Sequence, residues 1–224
     1  MGAYKTKVEI VYDSLLDKVL RMEYKAGDRL IINQIAREHS VSDIPVREAI
    51  RRLETEGYVE IIANQGASVC SFSGEFLQEL FMIKAVLEGY AARLSIGYLS
   101  AKDLAALRKI NERIAAAAEA NNTKKCAQLN VDFHMRIYQV VPGNLMHDML
   151  SDLWRKYSIT TSVFSVRLNR GLTSAAEHEE ILRLLEKKDC DGVEQLMREH
   201  KLKAGRELLE ALGQGEGSKL LEAK

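Results

Sequence analysis

The sequence of 224 residues has little proline, few aromatic side chains and no bias of charge. Two prolines and an aromatic fraction of 6% point to a mostly helical chain. Three cysteines, Cys70, Cys126 and Cys190, lie far apart with no Cys-x-x-Cys spacing. That excludes a zinc ribbon and a disulfide framework and suits a reduced, cytoplasmic protein. No apolar run approaches the roughly 20 residues of a membrane span. The opening MGAYKTKVEI lacks the apolar core of a signal peptide. No internal repeat is present. Lys and Arg total 32 against 32 Asp and Glu, so bulk charge draws no polyanion. Splitting the chain does not change this, because residues 1–72 hold ten Lys/Arg and eleven Asp/Glu. Binding of nucleic acid would need a local basic face, doubled by dimerisation.

The composition is otherwise that of a globular protein, 46% apolar and 29% charged, long enough for one or two cores. Apolar residues at helical spacing run from Lys7 to Met22. Lys25 to Asp28 is a turn around Gly27, and Arg29 to Ile31 is extended. Asn33 is placed to cap a short helix, Gln34 to His39. The next stretch, VSDIPVREAIRRLETEGY from Val41 to Tyr58, organises the N-terminal region. Ser42 is a candidate cap, Pro45 fits the first turn, and Gly57 fits the stop. Val46, Ala49, Ile50 and Leu53 form one stripe, with Arg47, Arg51 and Arg52 turned from most of it. Such a helix suits the major groove, where arginine pairs with guanine or grips phosphate. A surface helix with solvated arginines fits these residues equally well. Tyr58–Ile62 and Ala67–Ser71 read as two strands joined by Asn64-Gln65-Gly66. Helices followed by a hairpin make a winged helix-turn-helix, with Gly66 at the wing tip allowing close approach of backbone to DNA. Ser42, Arg47, Arg51, Arg52 and Gly66 are the candidate DNA contacts.

After a linker at Ser71–Gly74 the pattern is helical throughout: Glu75–Tyr98, Ala101–Ala120, Thr123–Val140, roughly 145–168 after an Asn144 cap, a helix from Thr173 or Ser174 to Lys187, and one from Asp189 to about Leu212. Six helices with short connections make an antiparallel bundle. The organisation expected is mainly α, with a winged helix-turn-helix at 1–72, a helical effector and dimerisation domain at 73–212, and a Gly-rich frayed tail at 213–224.

Five histidines occur, and His134, His178 and His200 fall on three helices of this bundle. Asn130 and His134 share a helical face. His178 stands about nine residues before the turn near 187–191 and His200 about ten after it, so antiparallel helices bring them to similar depth. Three imidazoles and one oxygen suit a first-row divalent ion. Taken alone, the three are as readily unrelated buried or surface histidines. Tyr138 and Trp154 read as core aromatics, and His39 and His147 as surface.

Two segments together resemble a family. Gly27-Asp-Arg-Leu30, Ile35-Ala36, Val41-Ser-x-x-Pro-Val-Arg-Glu-Ala-Ile50, Leu53-Glu54 and Glu56-Gly57 resemble the winged helix of GntR-family transcription regulators. Leu87-Glu88, Phe133-His134, Gly143-Asn144, Glu177-His178, Ile181-Leu182, Asp189 and His200 resemble that family's FadR-type FCD effector domain. The resemblance spans about residues 8–210. It implies a homodimeric repressor that binds a double-stranded operator through Arg47 and the wing at Gly66, and is no enzyme. It implies a divalent metal, zinc or nickel, held by Asn130, His134, His178 and His200, and a small organic acid as effector. Occupancy would then shift the two DNA heads through Ser71–Gly74 and the Glu75–Tyr98 helix. Lys84, where many relatives have arginine, and Arg167 are the candidate effector cations, and Thr160, Thr161, Ser162 and Ser165 line either the pocket or the solvent. Asp43 and Asn33 depart from the family's arginines, and Asn130 from its aspartate, a stronger ligand than the neutral amide. Two other readings remain: a metal sensor with the ion as signal, and a metal-dependent enzyme, for which no glutamate stands at base spacing.

Overall fold

The computed structural model describes residues 5–20, 23–70, 72–157, 160–161, 163–167 and 169–213. Its contacts divide the chain into two units, 1–72 with 155–159, and 73–154 with 160–224. The expected tail beyond 213, the linker residue Ser71 and the candidate Ser162 lie outside the described residues.

In the first unit three helices surround a small sheet: α1 Lys7–Leu20, β1 Arg29–Leu30, α2 Ile32–Glu38, α3 Asp43–Thr55, β2 Val59–Ile62 and β3 Gly66–Val69. Val11, Leu15 and Val19 of α1 meet Val46, Ala49, Ile50 and Leu53 of α3 in one buried core. The apolar stripe therefore packs inward, as its spacing requires. Gly57 follows α3 with φ +74°, the left-handed turn that releases the chain into β2. The strands run antiparallel in the order β1-β3-β2, so the wing is three-stranded rather than a lone hairpin. Leu30 pairs with Ala67 and Val59 with Val69.

Two expected caps are corrected. Helix α2 begins at Ile32 with Ile31 in the cap position, because pairing of β1 with β3 ends at Leu30 and the chain turns at once. Asn33 is already inside the helix, and its carbonyl accepts from Arg37 Nε at 3.1 Å. Ser42 does hold the cap position of α3, but its hydroxyl makes no capping hydrogen bond.

The second unit is a helical bundle: α4 Gly74–Ser95, α5 Ala101–Glu119, α6 Thr123–Tyr138, α7 Asn144–Lys156, a single-turn α8 Val163–Val166, α9 Arg170–Lys187 and α10 Cys190–Ala211. Side chains close the N-termini of four helices: Ser73 at α4, Ser100 with Asp103 in a reciprocal box at α5, Asn122 at α6 and Asp189 at α10. The single helix expected over 145–168 is broken. It stops at Lys156, and Thr160–Thr161 form a tight turn before α8. β-Branched and hydroxyl residues between 158 and 163 favour helix weakly, and the described ones turn inward. Helix α9 starts at Arg170, three residues before the expected cap, after Asn169 adopts φ +62°. No helix among the described residues is long and apolar enough to cross a membrane.

Helix α10 packs most extensively on α4. The two approach closely where Gly205 faces Phe81, since a Cβ there would lie 2.7 Å from the ring. Gly205→Ala is expected to cost about 1–3 kcal/mol by forcing the helices apart. A thermal melt followed by circular dichroism measures this, and an unchanged midpoint would show that the contact yields freely.

Candidate functional site

Two sites follow, one in each unit. In the first, the exposed face of α3 carries Asp43, Ile44, Arg47, Glu48 and Arg51. Arg47 is exposed and faces Asp43, one turn earlier, at 4.0 Å. Arg51 is exposed beside it. Arg52 lies on the flank of the helix and is held there. Its Nε donates to Glu56 at 3.1 Å, and its guanidinium sits 3.8 Å above the Tyr12 ring. Tyr12 in turn donates its hydroxyl to Glu56. Arg52 thus takes part in the α1–α3 packing while its side chain stays half exposed. The β2–β3 turn carries Asn64 at φ +64° and Gly66 at φ +92°, all exposed, and Gly66 has open space where a side chain would project. The β2–β3 hairpin, 59–69, contains no lysine or arginine, so backbone and side-chain amides are what its tip offers to phosphate.

In the second unit the three histidines converge. One nitrogen from each of His134 (α6), His178 (α9) and His200 (α10) lies within 4.8 Å of the others, and all three residues are buried. The surrounding hydrogen bonds assign the ring protons. Tyr138 uses its one hydroxyl proton on Glu88 Oε2 at 2.8 Å, so at 3.3 Å it accepts from His134 Nδ1. Asn111 Nδ2 donates to the Ala175 carbonyl at 2.9 Å, which turns Asn111 Oδ1 toward His178 Nδ1 at 3.2 Å. Glu177 Oε2 accepts from His200 Nδ1 at 2.6 Å. Each Nδ1 is then a donor, and each Nε2 is left as a lone pair directed at the other two. His134 and His200 Nε2 stand 3.3 Å apart, and His178 Nε2 has no hydrogen-bond partner.

Electrostatics keep these rings neutral. Burial pushes His134 and His178 well below the usual histidine range, helped by Lys201 and by the other imidazoles. Burial also lowers His200, to about 4, although Glu177 opposes it. Burial alone would raise Glu177, but the His200 ring, Arg170 and Lys203 outweigh it and hold that carboxyl at about 2. Three neutral imidazoles oriented from behind are the state a divalent cation requires. Asn130 Oδ1, buried one turn before His134 on α6, also lacks a hydrogen-bond partner. The donors present therefore fit a metal: three nitrogens and a candidate amide oxygen.

Beside the histidines is a small chamber with about 20 Å³ of free space, bounded by Phe81, Lys84, Asn130, Trp154, Arg170 and His200 among others. Lys84 Nζ lies 3.5 Å and Lys201 Nζ 4.4 Å from the Trp154 ring centre. Glu88 receives Lys201 at 2.8 Å and Lys84 at 3.5 Å, the latter with no hydrogen bond made by Lys84 Nζ. Burial lowers Lys201 to about 7, against the pull of Glu88. Phe164 and Arg170 line both this chamber and an outer pocket of about 280 Å³.

Of the expected effector residues, Lys84 reaches the chamber, as do Thr160 and Thr161. Arg167 does not. It is exposed, pairs with Glu210 at 3.0 Å and lines only the outer pocket with Ser165. Arg170 takes the inner place, 3% exposed, with Glu177 at 3.2 Å and Glu207 at 3.3 Å. Trp154, expected in the core, is a chamber wall. Arg170, Lys201 and the hydrogen-bonding roles of Asn111, Glu88 and Glu177 escaped the sequence reading. Two signals were available: the Lys84–Glu88 spacing of one helical turn, and the charged neighbours Glu177 and Lys201 of two histidines.

Comparison with known proteins agrees with this architecture. Residues 7–69 match the family described as bacterial regulatory proteins, gntR family, and residues 79–203 match the FCD domain. The chain is 24% identical over 190 residues to the HTH-type transcriptional regulator YdhC of Bacillus subtilis (strain 168), covering 84% of this chain and 85% of that one. It is 29% identical over 130 residues to the HTH-type transcriptional regulator McbR of Escherichia coli (strain K12), covering 58% and 59%. The solved structure of E. coli McbR/YncC shares the fold with a TM-score of 0.68 at 23% identity, over 92% of this chain and 99% of that chain. With an FCD match across more than half its length behind a gntR-type head, this chain belongs to the gntR family, as a DNA-binding regulator of transcription with an FCD effector-binding domain.

Proposed function

We propose that the protein is a homodimeric repressor that reads its operator with α3 and the wing, and that its bundle binds a divalent metal, zinc or nickel, together with a small carboxylic acid. The observation that carries the metal is the set of three buried Nε2 lone pairs facing one another, each ring oriented by a donor bond from Nδ1. Lone pairs at such distances repel unless a cation lies between them. His134, His178 and His200 would hold the ion, with Asn130 as oxygen donor, and the bound metal would supply open positions for an anion. Lys84 Nζ and Arg170 Nε, buried without hydrogen-bond partners, are the cations that such an acid would satisfy. Phe164 and Arg170, shared with the outer pocket, support entry from that side.

A second reading has one observation in its favour. The chamber's free space of about 20 Å³ takes an ion or a water and no more, as expected if the metal itself were the signal. Operator release that follows metal concentration without any acid would select it. Either signal acts only through unequal affinity for two arrangements of the regulator.

The dimer is supported by α4. Met82, Val86 and Tyr90 stand at one-turn intervals and are 42%, 49% and 47% exposed. A groove of about 360 Å³ between α4 and α7, lined by Leu87, Leu94, Leu145 and Met149, extends this apolar surface. The row is self-complementary. Antiparallel pairing centred on Val86 sets Met82 of one copy against Tyr90 of the other, and Glu79 against Arg93.

Three outcomes are expected. His134→Ala should lose the bound metal in elemental analysis while Asn130→Asp binds it more tightly, and unchanged stoichiometry in His134→Ala would remove the metal centre. Arg47→Ala should weaken operator binding by about 1–3 kcal/mol in an anisotropy titration, whereas Arg52→Ala should lower the melting temperature and leave affinity near wild type. Equal losses of affinity would return Arg52 to the interface. Val86→Arg should reduce the mass in light scattering from a dimer to the 25.2 kDa monomer, and an intact dimer would move the interface elsewhere.

A further inference from the structure

We infer that Ile44 reads the 5-methyl group of a thymine, which makes it a determinant of operator sequence. The inference rests on α3 being the helix that enters the major groove. Ile44 is 68% exposed, the most exposed large apolar side chain among the described residues of the first unit. Nothing in the fold covers it, and in the first turn of an exposed helix face a polar residue would serve the fold as well. Its direction is set by the helical repeat. About 100° per residue puts Ile44 roughly 20° from Arg51 and 60° from Arg47 around the axis, opposite Val46, Ala49 and Leu53 of the core. The two arginines bring this face to DNA, so the isoleucine meets DNA as well.

What it meets there follows from the chemistry of the groove. Thymine methyl is the one apolar group on the major-groove base edges, and the remaining groups are hydrogen-bond donors and acceptors. The neighbouring residue decides between base edges and phosphates. Asp43 is 45% exposed in the same turn, 4.0 Å from Arg47. A carboxylate is repelled by phosphate but accepts a hydrogen bond from the cytosine amino group, so this turn points into the groove rather than along its rim. An isoleucine next to a carboxylate, with two arginines on its other neighbouring positions of the same face, matches a thymine flanked by polar edges.

The test selects duplexes from a randomised pool with the full-length protein and with Ile44→Ser. Deoxyuridine, which lacks the methyl, then replaces each selected thymine in turn. At one or more thymines per half-site the exchange should weaken wild-type binding about three- to fivefold, the worth of one buried methyl. Ile44→Ser should lose less than about twofold at the same positions, with an unchanged circular dichroism melt. If no exchange weakens the wild type, or if the variant is weakened equally, Ile44 reads no methyl, and the groove-entering helix stands. If the wild type selects no duplex at all, the reading of α3 fails and takes this inference with it.

Discussion

The bundle depends on where three protons sit. His134, His178 and His200 each turn Nδ1 outward to a fixed acceptor, Tyr138, Asn111 and Glu177, and each turns Nε2 inward. The acceptors come from three other positions on α5, α6 and α9, and Glu88 of α4 fixes Tyr138. Five helices therefore contribute to one arrangement of lone pairs. A ring that rotated would lose its bond and leave a buried polar atom unpaired, a cost of about 1–3 kcal/mol. The same bonds raise the basicity of the inward nitrogens, which is how outer residues tune a metal site.

Around these rings the core carries charge that the fold itself does not need. Lys84, Lys201 and Arg170 are each 3% exposed or less, and Glu88 is fully buried. Buried ion pairs are weak contributors to stability, since desolvation consumes most of their attraction. Burial lowers both lysines, whereas the lysines outweigh burial at Glu88 and hold its carboxyl below the usual range. The pairing is incomplete, because Lys84 Nζ and Glu88 Oε1 remain without hydrogen bonds. Such a cluster is out of place in a core selected for stability alone, and it suits the proposed exchange of an internal carboxylate for that of an effector acid.

How far the sequence revealed this depends on the kind of signal. The helices of the bundle and the apolar face of α3 were legible because periodicity and caps are local. The histidine convergence was half legible: equal depth follows from helix length, but facing does not. The break after Lys156 was not legible because the following residue types are only weakly helical and because Thr160, Thr161, Val163 and Phe164 take their places as chamber lining, which is a tertiary constraint. That error hid Arg170 and promoted Arg167, three residues away. The packing role of Arg52 was hidden for a related reason. Periodicity puts it away from the apolar stripe, but only the packed α1 shows Tyr12 beneath it. The β1 strand, two residues long, left no pattern to read.

The absence of net charge in the head then has a physical sense. With ten basic and eleven acidic residues in 1–72, nonspecific attraction to phosphate is weak. Of the three arginines on α3, one is tied to Tyr12 and Glu56, and another is shared with Asp43. The β2–β3 turn offers amides rather than cations. A single head of this kind gains little from any duplex, and the two heads of the proposed dimer would gain only when both meet correctly spaced half-sites, since the second would then bind at high effective concentration. Weak heads make occupancy of DNA steeply dependent on their spacing. In the proposed dimer, a bundle that altered that spacing by a small amount would release the regulator, where strongly basic heads would stay bound.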